Sequence, residues 1–515
     1  LLHDAAPLLQ QRSGGSAATP DYRLAWLCAF AAATFFANSH IVARRWPELF
    51  EEDVADLAMY SSSFVGAALL FVGVWAAFPG VWTAVAWAVV GLALLVAGSK
   101  RKLEQLPLEG HFYFACAFLA AINTNLSAAT LAVHKVRGSA TVCVIAAAFY
   151  VASRWSTSPR ESWHDLGRVA PVAYRWAGSV LLLLLVPCAL RPLSIAPAWV
   201  MLGMVLMEIG LALEMGDLRT QGYLALTAAF GAIFFINLNA EDAAHLIGAR
   251  VYTVLPVVLA LYYVYGRLTT LQRVPENEAR FRIAAVAAWF GIASGVALLR
   301  FELDLDWVAA AWAAGSVALL AVAWRSGRDL FLQQSLVLAF LATLRAVLHN
   351  LYERSNLPGP LWHSRAVCTG ATAALLFAGL WFAFRLRWRF ESEPTAEAPR
   401  SFLQRLFRRP EQVFFFLPLA LVVALLAVEM RSGLITVSWS ALGVLVFLFA
   451  LWVGERSFRL AGLCLLLLGV GKIIVVDVWD LNPRDRYLTF ICVGCALLLV
   501  SFLYSRYREA IRRYL

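Results

Sequence analysis

The chain has 515 residues, 61% of them hydrophobic and 15% charged, with a mean hydropathy of +0.71. Soluble domains carry an apolar share of about 45–50%, so a soluble globular or disordered chain is excluded. The formal net charge of +10 invites a nucleic-acid partner, but no basic helix with a base-reading face is present and nucleic acid is excluded as well.

Residues 1–20, polar and rich in Ser, Gly and Ala, read as a flexible lead-in. The chain opens on Leu1 with no Met, so a preceding segment is expected. A first apolar span comes next at 24–42, inside a segment 21–55 that ends in a charged loop. Sixteen more spans fall near 56–78, 81–98, 110–126 and 139–153, then 170–190, 195–214, 222–238 and 250–266. The rest lie near 281–299, 306–324, 331–350 and 365–384, then 413–430, 435–453, 460–478 and 486–504. A bilayer core of about 30 Å needs roughly 20 helical residues, so the shorter spans must be tilted, extended or shielded. The one long gap, 385–412, is a linker holding seven arginines, and 505–515 is a polar tail. The expected fold is all-α: a polytopic integral membrane protein of seventeen transmembrane helices.

Basic residues set the orientation. One face collects 29 of the 43 Lys and Arg residues and the other 12, the remaining two lying within spans. The richer face is expected in the cytoplasm, which puts the 385–412 linker and the C-terminus inside and the N-terminus in the periplasm. The basic charge is then a topology signal.

An internal pattern organises the spans. Trp87, Trp199, Trp312 and Trp439 can be aligned; four positions on lie Gly91, Gly203, Ser316 and Gly443, and twenty-three on lie Gly110, Gly222, Ser335 and Gly462. Thirty-eight on lie Asn125, Asn237, Asn350 and Asp477, succeeded in the next turn by Arg137, Arg250, Arg365 and Arg486. Asn and Asp together number 22 in 515 residues, so four at one offset mark a repeat. Four parallel four-helix repeats are expected at 56–153, 170–266, 281–384 and 413–504, with the first helix outside them. Small residues at matched depth let helices approach closely. The Asn/Asp–Arg sets read as locks on the outer turns or as an outer groove for an anionic headgroup or solute. Asp477 and Arg486 in particular are expected to pair.

The remaining chemistry is sparse. Glu208, Arg345 and Lys472 are candidate intramembrane charges, costly unless paired or facing water. Glu241 with His245, and His349 with Glu353, share the i, i+4 spacing of one helix face, yet neither is a recognised zinc signature, and no metal site is assigned. Cys492 and Cys495 form a C-x-x-C inside an apolar span with no following His, a packing pattern more than a redox one. The eight cysteines all lie in apolar segments and behave as small hydrophobic side chains. No phosphate loop, nucleophile elbow or zinc-protease motif occurs, and no cofactor is expected.

The C-terminal stretch carries a family resemblance. Its string RLAGLCLLLLGVGKIIVVDVWDL, the Arg and LTF after it, and a run ending SFLY resemble the uncharacterised bacterial membrane proteins catalogued as domain of unknown function 2339. The residues concerned are Arg459, Gly462, Lys472, Asp477, Leu481, Arg486, Phe490, Ser501 and Tyr504, and the clear likeness spans about 430–505. The resemblance implies a bacterial inner-membrane protein, polytopic and often preceded by a soluble or coiled-coil segment. It implies no activity.

Three function classes are open. A row of parallel repeats suits a structural or assembly subunit binding membrane lipids and partner membrane proteins. A carrier of a lipid or small solute, with its site between repeats, is the alternative. An enzyme acting on lipid-linked substrates at the outer face is weaker, because the outer turns lack a catalytic loop.

Overall fold

Hydrocarbon offers no partner to a backbone N–H or C=O, so a spanning segment must satisfy its own groups as a helix. The structure, a computed structural model, describes residues 20–42, 45–46, 52–101, 105–156, 164–239, 248–271, 275–353, 364–391, 406–430, 432–477, 479 and 483–506. Among these residues every regular element is helical. The chain divides into two compact units, Leu1–Val274 and Pro275–Leu515.

The first unit runs through α1 Tyr22–Ala37, α2 Glu52–Ala77, α3 Trp82–Arg101, α4 Gln105–Ala120, α5 Ala128–Ala152, α6 His164–Ala189, α7 Ile195–Ala212, α8 Gly216–Ala232 and α9 Ala249–Thr269. The second begins with a short α10, Glu276–Arg280, then α11 Ile283–Glu302, α12 Val308–Ser326, α13 Asp329–Arg345, α14 Arg365–Ala378 and α15 Leu380–Glu391. It closes with α16 Pro410–Glu429, α17 Ser432–Val453, α18 Arg456–Lys472 and α19 Pro483–Arg506.

Among the described residues, fifteen helices are long and apolar enough to cross a membrane. The protein is thus a polytopic all-α membrane protein. Two expected spans fall outside that set. The last is represented by a shorter apolar stretch, Arg486–Phe502. The fourth, 110–126, is the helix α4 with the turn Ala121–Asn125 that follows it, where the polar Gln105, Glu109, His111, Asn123 and Thr124 dilute the apolar content.

Two boundaries differ from the sequence reading. The span expected at 139–153 is the second half of α5, which starts at Ala128 and kinks at His134 (φ −129°, ψ 48°). Residues 385–391, expected in the linker, continue the helix α15; 392–405 lie outside the described residues.

Small residues set the closest helix crossings. A Cβ on Gly222 would stand 2.7 Å from the Gly203 carbonyl oxygen, and one on Gly462 2.9 Å from that of Gly443. The Gly91 and Gly110 crossing is nearly as tight, with 3.0 Å between a Cβ on Gly110 and the Gly91 oxygen. At the corresponding crossing of α12 and α13, Ser316 and Ser335 each donate a hydroxyl to the other's carbonyl, at 2.8 and 2.7 Å. The aligned tryptophans act alike: each indole donates to the carbonyl sixteen residues earlier. Trp87 reaches Phe71 at 3.4 Å, Trp199 Leu183 at 3.0 Å, Trp312 Val296 at 3.1 Å and Trp439 Val423 at 3.2 Å.

Among the described residues five helices end in π turns: α1 continues as Asn38–Val42, and α4 as Ala121–Asn125, α8 as Ile233–Asn237, α13 as Ala346–Glu353 and α18 as Ile473–Asp477. The wider turn, closed for example by Leu126 N–H to the Ala121 carbonyl at 2.9 Å, hosts a polar side chain. Asn125, Asn237, Asn350 and Asp477 lie in the last four of these turns, and none is more than 1% exposed.

Candidate functional site

The π turns carry the polar positions singled out in the sequence. Asn125 donates its amide to the Val81 carbonyl at 2.9 Å, Asn237 to that of Leu193 at 2.8 Å and Asn350 to that of Asp306 at 3.1 Å. Each acceptor is 44 residues back, just ahead of the helix that the Asn-bearing helix crosses. The amide therefore ties the end of one helix to the start of another. Asn125 is also bonded to Thr141 Oγ1 at 2.7 Å and accepts from Thr124 at 2.8 Å. The Asn237 and Asn350 side-chain carbonyl oxygens are buried without a hydrogen-bond partner among the described residues.

Asp477 differs. Its carboxylate accepts from Lys472 Nζ at 2.6 Å and from Thr436 Oγ1, and Lys472 also donates to Thr436 at 3.1 Å. Two sequence candidates, Lys472 and Asp477, are thus brought together, while the expected Asp477–Arg486 pair is not formed among the described residues. Among the described residues no hydrogen bond or ion pair joins any of the four Asn/Asp side chains to the Arg after it. Arg137 is exposed, Arg250 and Arg486 are half-buried, and Arg365 stands 3.7 Å from Glu429. The forward pairing failed because the buried need is an orphan carbonyl behind the Asn; the arginines sit farther out.

Around Asn350 the second unit gathers charge. His349 Nδ1 is 2.5 Å from Glu353, and its Nε2 stands 3.4 Å from Asp306. Arg345 and Arg300 both act electrostatically on Glu353, and Arg345 Nε is buried with no hydrogen-bond partner among the described residues. The sequence singled out Arg345 and the His349–Glu353 spacing, but not Asp306 or Arg300. Glu241 and His245 lie outside the described residues. Among the described residues no group of three or more His, Cys, Asp or Glu is arranged to hold a metal ion.

Glu208 accepts from the Tyr263 hydroxyl at 2.9 Å and from Arg267 Nε at 3.3 Å, one turn before the end of α7. It is a side-chain tie between α7 and α9. Cys492 and Cys495 are free thiols on α19, as are the other six cysteines.

At the helix ends away from the asparagines lie groups the sequence reading passed over. Glu109, 2% exposed, accepts from Ser63 at 2.5 Å, and the Ser63 hydroxyl is 3.3 Å from His40 Nε2. Glu109 Oε2 and Gln105 Oε1 are buried with no hydrogen-bond partner among the described residues. The serine lies between acid and imidazole, able to relay a proton; an activated serine nucleophile would stand at the end of such a chain. In the second unit Arg387 is held by Glu455 and by Glu411 at 3.5 Å. Glu109 had a sequence signal, four residues after Gln105, but it sits where the span was taken to begin.

Comparison with known proteins adds one finding. The family profile described as "Predicted membrane protein (DUF2339)" matches residues 5–507, far beyond the C-terminal stretch in which the likeness was first legible. No curated protein and no solved structure matches the chain.

Proposed function

The chain belongs to the DUF2339 family of predicted membrane proteins, and from that premise we propose that it is a structural or assembly subunit built of four parallel four-helix repeats. The observation that carries this reading is where the polar side chains go. The indoles of all four aligned tryptophans and the amides of three asparagines are spent on helix-to-helix ties. The outward faces keep large apolar residues, among them Phe235, Leu259, Leu445 and Leu467. Such faces suit lipids and partner membrane proteins, which pack on van der Waals fit and small residues in the absence of a hydrophobic drive. Purification from native membranes after cross-linking should recover a partner in fixed ratio. Recovery of the chain alone, together with solute movement by the chain reconstituted alone, would overturn the proposal.

The orientation belongs to the same reading. The bacterial inner membrane is what the family resemblance implies, and the excess of Lys and Arg supports an orientation with 385–412 and the C-terminus in the cytoplasm and the N-terminus in the periplasm. Cysteine-accessibility labelling in a background free of native cysteines checks it: labelling of 385–412 from the periplasm contradicts the topology.

A carrier of a lipid or small solute is a second reading, favoured by the ionisable cluster of Asp306, Arg345, His349 and Glu353. Ionisable groups inside a membrane bundle are costly and mark solute or proton paths in pumps and carriers.

A further inference from the structure

The second unit contains a cavity of about 790 Å³ between α14, α15, α16 and α17. Its volume falls among sites that hold one small ligand, about 300–1,000 Å³. The walls are apolar and aromatic, with Phe377, Phe384, Phe415, Leu442 and Phe449 prominent. Phe415 stacks on Phe458 with 3.6 Å between ring centroids, behind one side of the cavity. From Leu442 to Trp452 the lining runs along ten residues of α17, about 15 Å at the helical rise, or one leaflet of a core about 30 Å thick.

The lining's charged residues are at one end. Arg385 and Arg387 lie in the second half of α15 and Glu455 lies just past α17. Arg387 is occupied by Glu411 and Glu455, and Arg409 also acts on Glu411. The two carboxylates therefore face two arginines without counting Arg385. Arg385 has no carboxylate partner among the described residues. Its guanidinium lies 3.7 Å from the Trp381 ring centroid and 5.2 Å from that of Trp324. Stacking uses the face of the guanidinium and leaves its in-plane N–H donors for a planar or tetrahedral anion. Trp381, Leu445 and Trp452, all lining residues, are 51%, 63% and 84% exposed, so the cavity opens on the apolar flank of the unit.

We infer that the cavity binds one anionic phospholipid from the bilayer, with a hydrocarbon chain against the aromatic wall and the phosphate on Arg385. The lateral opening admits a lipid, the depth matches one leaflet, and the uncompensated guanidinium selects the charge. The inference needs only the cavity and stands apart from the assembly reading.

The test uses the full chain in detergent, with native mass spectrometry to follow titration with dioleoylphosphatidylglycerol and dioleoylphosphatidylcholine. One phosphatidylglycerol per chain should bind about tenfold or more tighter than the neutral lipid, as expected of a charge-assisted contact. Arg385→Gln should remove that preference, Arg385→Lys should restore part of it, and Leu445→Trp at the opening should weaken both lipids. Melting curves of the variants confirm that they fold, and Arg385→Gln alters only a partly exposed side chain. Equal binding of the two lipids, or an unchanged preference in Arg385→Gln, overturns the inference. Competition by glycerol phosphate as strong as by the lipid also overturns it, since the site would then be one for free phosphate.

Discussion

Among the described residues the side chains of Asn125 and Asn237 in the first unit are hydrogen-bonded to neutral groups, whereas in the second unit Asn350 lies beside the ionisable cluster of Asp306, His349 and Glu353 and Asp477 is paired with Lys472. By spacing from the aligned tryptophans, Arg300, Glu302, Asp306 and Arg345 correspond to Trp75, Ala77, Val81 and Ala120, and again to Pro187, Ala189, Leu193 and Ala232. The same backbone tie is made in both units, because Asn350 reaches the Asp306 carbonyl as Asn125 reaches that of Val81. The tie therefore does not require the charges. A charge in a low-dielectric site is costly until it is paired, so those of the second unit add something other than the lock. The comparison separates scaffold from chemistry: the features that recur in both units hold helices together, and those confined to one are where a solute, proton or headgroup would be met.

The sharpest way to break the comparison is at Asp477. Asp477→Ala leaves the Lys472 ammonium without its partner, and loss of one member of a buried pair costs about 3–5 kcal/mol. Lys472→Met in the same background should recover much of that loss, and a double-mutant cycle on melting in detergent measures the coupling. A coupling near zero would make the second unit's charges no more structural than the first unit's amides.

Next in size is the helix crossing. Gly222→Ala places a Cβ 2.7 Å from the Gly203 oxygen, and overpacking of this kind costs about 1–3 kcal/mol. Ser335→Ala, which deletes a hydroxyl at the matching crossing, should cost less, about 1 kcal/mol. Thermal melts that reverse this order would show that the two crossings are not equivalent.

A smaller effect grades the amides themselves. Asn125 is bonded at both ends of its amide, whereas the Asn350 oxygen is buried and unpartnered. Asn125→Leu should therefore destabilise by about 1–2 kcal/mol, and Asn350→Leu by visibly less on the same melting scale. Smaller still is Trp312→Phe, which removes the indole donor to Val296 and should cost about 1 kcal/mol. Trp87→Phe, losing a longer bond of 3.4 Å, should cost less again.

Much of this architecture was legible because hydrocarbon imposes a coarse rule on composition, and runs such as 413–430 and 435–453 obey it plainly. The asparagines were legible too, since a repeated offset survives divergence in the residues between. Their partners were not. A backbone carbonyl at Val81 or Leu193 has no signature in the residue type, so the nearest visible charges, the arginines, stood in for it. Glu109 escaped for a related reason: an acid at the start of a span looks interfacial until Ser63 and His40 are packed against it. The cavity beside Arg385 was hidden by the linker assignment, because a run of arginines reads as solvated unless a tryptophan lies under one of them.

The π turns bear on how such a chain can change over time. Each holds one more residue per loop of hydrogen bonding than the helix before it, so each amounts to an inserted residue absorbed without breaking the helix. Removing a single residue from Ala121–Asn125 would rotate the chain beyond it by about 100° and swing the asparagine away from its carbonyl. The connecting turns can gain or lose residues freely, as the 127-residue separation of Trp312 and Trp439 against 112 and 113 for the earlier pairs illustrates. The five residues that end on each buried Asn or Asp cannot. Length variation in relatives should accumulate in the loops and stop at these four turns.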